Sequence, residues 1–128
     1  MVKAAFVTWQ GRIAPLFETS RQAHIVEVLP DGMLEERGEC FQAQSPVGKI
    51  LCLVEWEVDK VICGAISRQV QAIAAAHGID VIPFVAGDLR EVIQAWIDQR
   101  IGEAQYAMPG YGRRAAVNHK KLFSPPMR

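Results

Sequence analysis

The chain has 128 residues, a formal net charge of zero and 50% hydrophobic residues, which fits one globular domain able to bury a core without disulfides. Its charge is unevenly placed: residues 1–105 hold nine Lys and Arg against fourteen Asp and Glu, whereas residues 106–128 hold five basic residues and no acid. An acidic body argues against nucleic acid as a partner. Apolar runs such as Val81–Ala86 fall far short of the ~20 residues a membrane span needs, so no membrane partner is expected.

Strand-like pattern begins at once, without the look of a signal or transit peptide, and the expected location is the cytoplasm. Three cysteines, Cys40, Cys52 and Cys63, form no CxxC and suit a reducing compartment better than a disulfide framework or a zinc ribbon.

Val2–Val7 is apolar on both faces apart from Lys3, the pattern of a central strand. Thr8-Trp9-Gln10-Gly11-Arg12 breaks it with a glycine turn, and Ile13–Gln22, with Pro15, reads as a loop. Ala23–Leu29 is a second strand, Pro30-Asp31-Gly32 a hairpin turn, and Met33–Phe41 a third strand. The charges Glu35, Glu36, Arg37 and Glu39 place that third strand at a sheet edge.

A helix is expected from about Val47 to Glu57, entered through Pro46. Its wheel groups Val47, Ile50, Leu51, Val54 and Val58 on one face, taken as the buried one. Cys52, Leu53 and Trp56 then fall on the opposite face, where they offer a homodimer contact or a lid. Lys60–Cys63 is a fourth strand. Ser67 is placed to cap the next helix, with Val70, Ile73, Ala74 and His77 inward and Gly78 at its end. Ile79–Val85 is a fifth strand, and Pro83 puts it at the other edge. A last helix follows Gly87-Asp88, with Leu89, Val92, Ile93 and Trp96 inward and Gly102 closing it. Residues 106–128 read as a basic tail rich in Gly and Pro, outside the 1–105 domain.

The order β-β-β-α-β-α-β-α, with two edges fixed by charge and by proline, predicts a five-stranded mixed sheet. Its expected spatial order is 3-2-1-4-5, with strand 2 antiparallel and three flanking helices, the plan of the ribonuclease H-like α/β fold. Ligands of open α/β sheets bind beyond the carboxyl ends of the strands, where the topology changes direction. That point lies between the first and fourth strands, so Thr8, Trp9, Gln10, Gly11 and Arg12 face Gly64, Ala65, Ile66, Ser67 and Arg68. The N–H groups at the start of the Ser67 helix favour an anion, Arg12 and Arg68 add charge, and Trp9 supplies an apolar wall. Cys63, between a strand end and a helix start, is the thiol best placed to meet iron, ahead of Cys40 and Cys52. His24 and His77 read as structural or surface residues, and His119 as a solvated one.

Catalysis finds little support. Asp59 and Asp80 precede their strands and so stand at the wrong end for a metal-dependent nuclease, and Asp88 alone does not make a two-metal site. GxSxG, P-loop and HExxH motifs are absent. The protein is expected not to be an enzyme.

Four segments in order carry a resemblance. Phe6-Val7-Thr8-Trp9-Gln10-Gly11-Arg12-Ile13-Ala14-Pro15-Leu16-Phe17-Glu18-Thr19 resembles the opening strand and G-R-I-S-P-V-F-D of the dinitrogenase iron–molybdenum cofactor biosynthesis family, which includes NifX- and NafY-like carriers and the C-terminal domain of NifB. Val61-Ile62-Cys63-Gly64-Ala65-Ile66-Ser67 is similar to that family's strand-C-G-A-I-S turn. Gly78-Ile79-Asp80-Val81-Ile82-Pro83-Phe84-Val85-Ala86-Gly87-Asp88 is similar to its G-I-x-V-I-P-x-x-x-G, and Met108-Pro109-Gly110 to its tail motif. Tyr111 and Gly112 stand where many relatives would show a cysteine.

The resemblance, over about residues 2–112, implies a ribonuclease H-like fold and non-catalytic carriage of an iron–sulfur(–molybdenum) cluster or its precursor. The implied partners are cofactor-assembly or nitrogenase-like proteins. The alternative is a protein-interaction or regulatory module on the same fold, with no metal cargo.

Overall fold

The computed structural model describes residues 2–108; residues 109–128 of the expected tail, with Pro109-Gly110, Tyr111, Gly112 and His119, lie outside the described residues, whereas Tyr106 is buried in the core and Ala107 bridges to Val85. Strand β1 (Val2–Trp9) is the centre of a six-stranded mixed sheet. It turns through Gln10-Gly11 into the two-residue β2 (Arg12–Ile13), then the chain crosses the sheet end to β3 (Gln22–Val28) and β4 (Leu34–Cys40). Helix α1 (Pro46–Glu55), β5 (Lys60–Ile62), α2 (Arg68–Ala76), β6 (Asp80–Ile82) and α3 (Leu89–Ile97) complete the order. The spatial order is β4-β3-β1-β5-β6, with β2 paired to β1 outside that row. β3 runs antiparallel to both β1 and β4, whereas β5 runs parallel to β1 and to β6. The sixth strand, β2, corrects the five-strand expectation. Two residues are too few to show an alternating pattern, and Pro15 just beyond made the segment read as loop.

Alternation along β1 divides the core into two layers. Ala5 and Val7 join Ile25, Val61 and residues of α1 and α2 on one face. Ala4 and Phe6 join Val26, Ile62, Ile82 and the α3 residues Val92 and Ile93 on the other. Phe6 meets Trp96 edge to face at 5.7 Å, and such a contact adds to the area buried. Leu89 and Trp96 are half-buried against this second layer, so the expected stripe of α3 is close to the observed one.

Helix α1 is turned from its expected orientation. Leu53 is fully buried, Cys52 and Lys49 are buried, and Trp56 packs on the core, stacked on Phe41 at 5.5 Å. Val47, Leu51 and Val54 are exposed instead. The full burial of Leu53, with Trp56 half-buried against the core, removes the expected dimer surface through these two residues. Both faces of this helix are apolar, so the wheel could not choose between them. Lys49 lies on the buried side, where its ammonium donates to the carbonyls of Phe17 and Glu18. His77 is a smaller correction: it is exposed, with Nδ1 against the Ile73 carbonyl.

Charged groups hold the β4 edge. Glu36 accepts from His24 Nε2 at 2.7 Å and from Arg90 of α3, which ties the edge strand to the helix across the sheet. The Arg90 guanidinium, and after it His24, hold the Glu36 carboxyl down to about 2.

Candidate crevice at the end of the central strand

The turn after β1 is a two-residue hairpin in which both Gln10 (φ 53°) and Gly11 (φ 77°) are left-handed, the conformation that twists with the flanking strands. Glycine is free there; Gln10 holds the strained position. The hairpin docks on the start of α3: the Leu89 N–H donates to the Gly11 carbonyl at 2.9 Å, and the backbone of Arg12 forms an isolated antiparallel β-bridge with that of Asp88. Gly11 and Arg12 thus support the hairpin from the α3 side. Asp88 accepts from the Glu91 N–H as the helix cap.

Beyond Ile13 the chain runs along the Gly64–Ser67 turn. Ala65 N–H donates to the Pro15 carbonyl at 2.8 Å, and Phe17 N–H donates to the Ala65 carbonyl at 2.9 Å. A Cβ on Gly64 would lie 2.5 Å from the carbonyl oxygens of both Ala14 and Pro15. Only glycine allows that approach. The Ser67 hydroxyl caps α2 through the Val70 N–H, as its position predicts, and the Ser67 N–H donates to Glu18 Oε2 at 3.1 Å. So the donors expected to meet a ligand at Ala65 and Ser67 are already engaged by the segment Pro15–Glu18.

Cys63 lies fully buried in the core layer shared with α1 and α2. Burial, and after it the Glu18 carboxylate, push its thiol well above the ordinary range. A helix start lowers a thiol pKa only where the thiolate can be solvated or paired, and here it is neither. Cys52 is buried too, whereas Cys40 is exposed at the end of β4.

Open space lies on the other side of the crossing segment. Thr8, Trp9 and Gln10 line a cavity of about 600 Å³ with Ala14, Pro15, Leu16 and the stretch Thr19–Gln22. Trp9 is 57% exposed and Leu16 40%, so two large apolar side chains stand at its rim. A second cavity of about 540 Å³ adjoins it through the same Thr19–Gln22 stretch and is lined by Glu18, Cys40, Phe41, Gln42, Gln44 and Lys49 among others. Of the expected site residues, the structure therefore gathers Thr8, Trp9 and Gln10 around open space. It sets Gly11 and Arg12 behind them, and gives Cys63 and Gly64 to the core. Ala65, Ile66, Ser67 and Arg68 line neither cavity. Sequence reading missed Arg21, Gln22 and the Thr19–Ser20 wall, because they sit in a stretch read only as loop. Their signal was a polar run immediately ahead of a buried strand.

Among the described residues no group of three or more His, Cys, Asp or Glu is arranged to hold a metal ion, and no helix is long and apolar enough to cross a membrane.

Fold and crevice together define a small mixed α/β domain with an open crevice beyond the carboxyl end of its central strand. The chain belongs to the dinitrogenase iron-molybdenum cofactor family, whose model matches residues 1–99. In fold it is similar to the crystal structure of PH0822, with a TM-score of 0.71 at 18% identity, over 78% of this chain and 94% of that one. It is also similar to a Methanocaldococcus jannaschii protein named for dinitrogenase, with a TM-score of 0.62 at 20% identity over 77% and 90% of the two chains. A Thermotoga protein named for NifB aligns with a TM-score of 0.58 at 20% identity over 78% and 90%. No curated protein matches the chain.

Proposed function

We propose that the protein is a non-catalytic carrier in metallocofactor assembly, which holds an iron–sulfur or iron–sulfur–molybdenum cluster, or a precursor of one, as cargo. On this reading it works in the cytoplasm and exchanges the cargo with cofactor-assembly or nitrogenase-like proteins. The observation that carries the proposal is an open crevice at the ligand-binding end of the central strand in a chain of this family. We likewise assign the sheet to the ribonuclease H-like class, on its strand order and on the antiparallel β3.

The fit can be judged from the chemistry of the walls. A preformed cluster brings its own sulfides and an overall negative charge, so it needs contact and charge balance more than a cage of ligands. Trp9, Pro15 and Leu16 offer apolar contact, Thr8 and Gln10 offer polar groups, and Arg21 offers a cation. Cys63 is not part of this surface. Loose, largely non-covalent retention suits a protein that hands its cargo on. Anaerobic mixing with a preformed cluster, followed by desalting, is the test. A brown protein with retained iron and charge-transfer absorbance is expected, and a colourless, iron-free protein would overturn the carrier reading.

The interaction-module reading keeps one specific support, the exposed row Val47, Leu51 and Val54 on α1. That face replaces the Leu53 and Trp56 surface.

A further inference from the structure

Helices α1 and α2 form one layer over the core, packed on the same buried residues and on each other. Their outer face is poor in charge, whereas a solvated helix layer usually carries charged and polar residues there. Across Pro46–Glu55 and Arg68–Ala76 the charged residues are Lys49, Glu55 and Arg68, and Lys49 is buried. Solvent instead meets one row on each helix, at the i, i+4, i+7 spacing of a single stripe. On α1 the row is Val47, Leu51 and Val54, all large and exposed. On α2 it is Arg68, Ala72 and Ala75, with Ala76 exposed beside it.

The two exposed charges stand at opposite ends of this layer. Each helix leads into the start of a strand, α1 into β5 and α2 into β6, and those strands are parallel, so the helices run in the same direction. Glu55 closes α1 at one end, and Arg68 opens α2 at the other. Both are exposed, and neither makes an ion pair among the described residues. An apolar face with one charge of each sign at its two ends is complementary to itself turned end for end. The alanines of α2 add little bulk, so two such layers can approach closely.

We propose that this face joins a second copy of the chain in a two-fold contact centred on Leu51 and Ala72. Helix α1 lies antiparallel on α1 of the second copy, and α2 on α2, which carries the Glu55 end of each copy to the Arg68 end of the other. A face two helices wide and about 15 Å long lies at the small end of specific interfaces, so the dimer is weak, with a dissociation constant of about 10–100 µM. None of these residues lines either cavity, and the contact does not depend on the carrier reading.

The experiment is sedimentation equilibrium of the full chain at low salt, from about 5 µM to about 1 mM. A mass that rises from monomer to dimer over that range is expected. Leu51→Glu and Ala72→Glu, both at exposed positions, should each leave the protein folded and weaken the dimer at least about tenfold. Glu55→Arg and Arg68→Glu should each weaken it about threefold or more, and the two together should return it to within about twofold of the wild type. That rescue separates paired ends from general stickiness. If Leu51→Glu does not fold, Ala72→Glu and the charge swap still decide the matter. A monomer throughout the range, which a different partner or residues 109–128 on this face would give, overturns the proposal. So does a dimer unchanged by Leu51→Glu, or a double variant no tighter than either single one. Iron uptake is read separately, so failure here leaves the carrier reading standing.

Discussion

Two regions at the same end of the sheet compete for the role of binding site, the Cys63–Ser67 turn and the Trp9–Gln22 crevice. The turn holds the features that chemistry prizes: a thiol, a helix start, a glycine and a hydroxyl. The folded chain uses them internally. The thiol fills the core, the Ala65 N–H meets Pro15, the Ser67 N–H meets Glu18, and the hydroxyl caps its own helix. The crevice has plainer residues, but its rim is exposed and its walls enclose space. Accessible geometry, more than residue type, separates a binding surface from a structural joint.

The comparison breaks if the turn tolerates change. Gly64→Ala forces a Cβ against two backbone carbonyls, and we expect it to cost about 3 kcal/mol by urea unfolding. A cost below about 1 kcal/mol would show that the Pro15 segment is not packed on the turn. Removing the Ser67 cap in Ser67→Ala should cost about 1 kcal/mol in the same measurement. Thiol labelling sharpens the contrast without a mutation: Cys40 should react rapidly in the native protein, and Cys63 and Cys52 only after unfolding. Prompt native labelling of Cys63 would restore the turn as an open site.

The smallest effect lies far from both regions and checks the charged edge. Arg90, and after it His24, hold the Glu36 carboxyl down to about 2, below its ordinary 4.5. A depressed carboxyl contributes stability that is fully present above its unfolded pKa and is lost as pH falls from about 4.5 toward 2. Glu36→Gln should flatten the stability profile in that window and cost about 1 kcal/mol or less at neutral pH, since the pair is near the surface. A profile identical to wild type between those limits would mean that the Arg90–Glu36–His24 contact adds nothing.

Much of the fold was legible because local signals agreed. Lys3 stands alone among apolar residues in a strand covered on both sides, the Glu and Arg load of β4 marks an edge, and Ser67 and Asp88 cap the helices they precede. The α1 face was not legible. Val47, Leu51 and Val54 match Ile50 and Leu53 in hydrophobicity, and no pattern reveals that Lys49 would find carbonyl acceptors inside. The candidate site was half legible. Thr8, Trp9 and Gln10 follow from the strand end, but the burial of Cys63 is set by how Pro15–Glu18 crosses the turn, a tertiary contact that spacing does not encode.

The most direct test compares the two regions under one measurement, anaerobic cluster uptake quantified as iron retained after desalting. Trp9→Ala and Arg21→Glu, in the crevice, should lose most of the retained iron. Cys63→Ala, behind the turn, should keep the wild-type amount per folded protein. Loss of iron in Cys63→Ala with full retention in the two crevice variants would contradict the account.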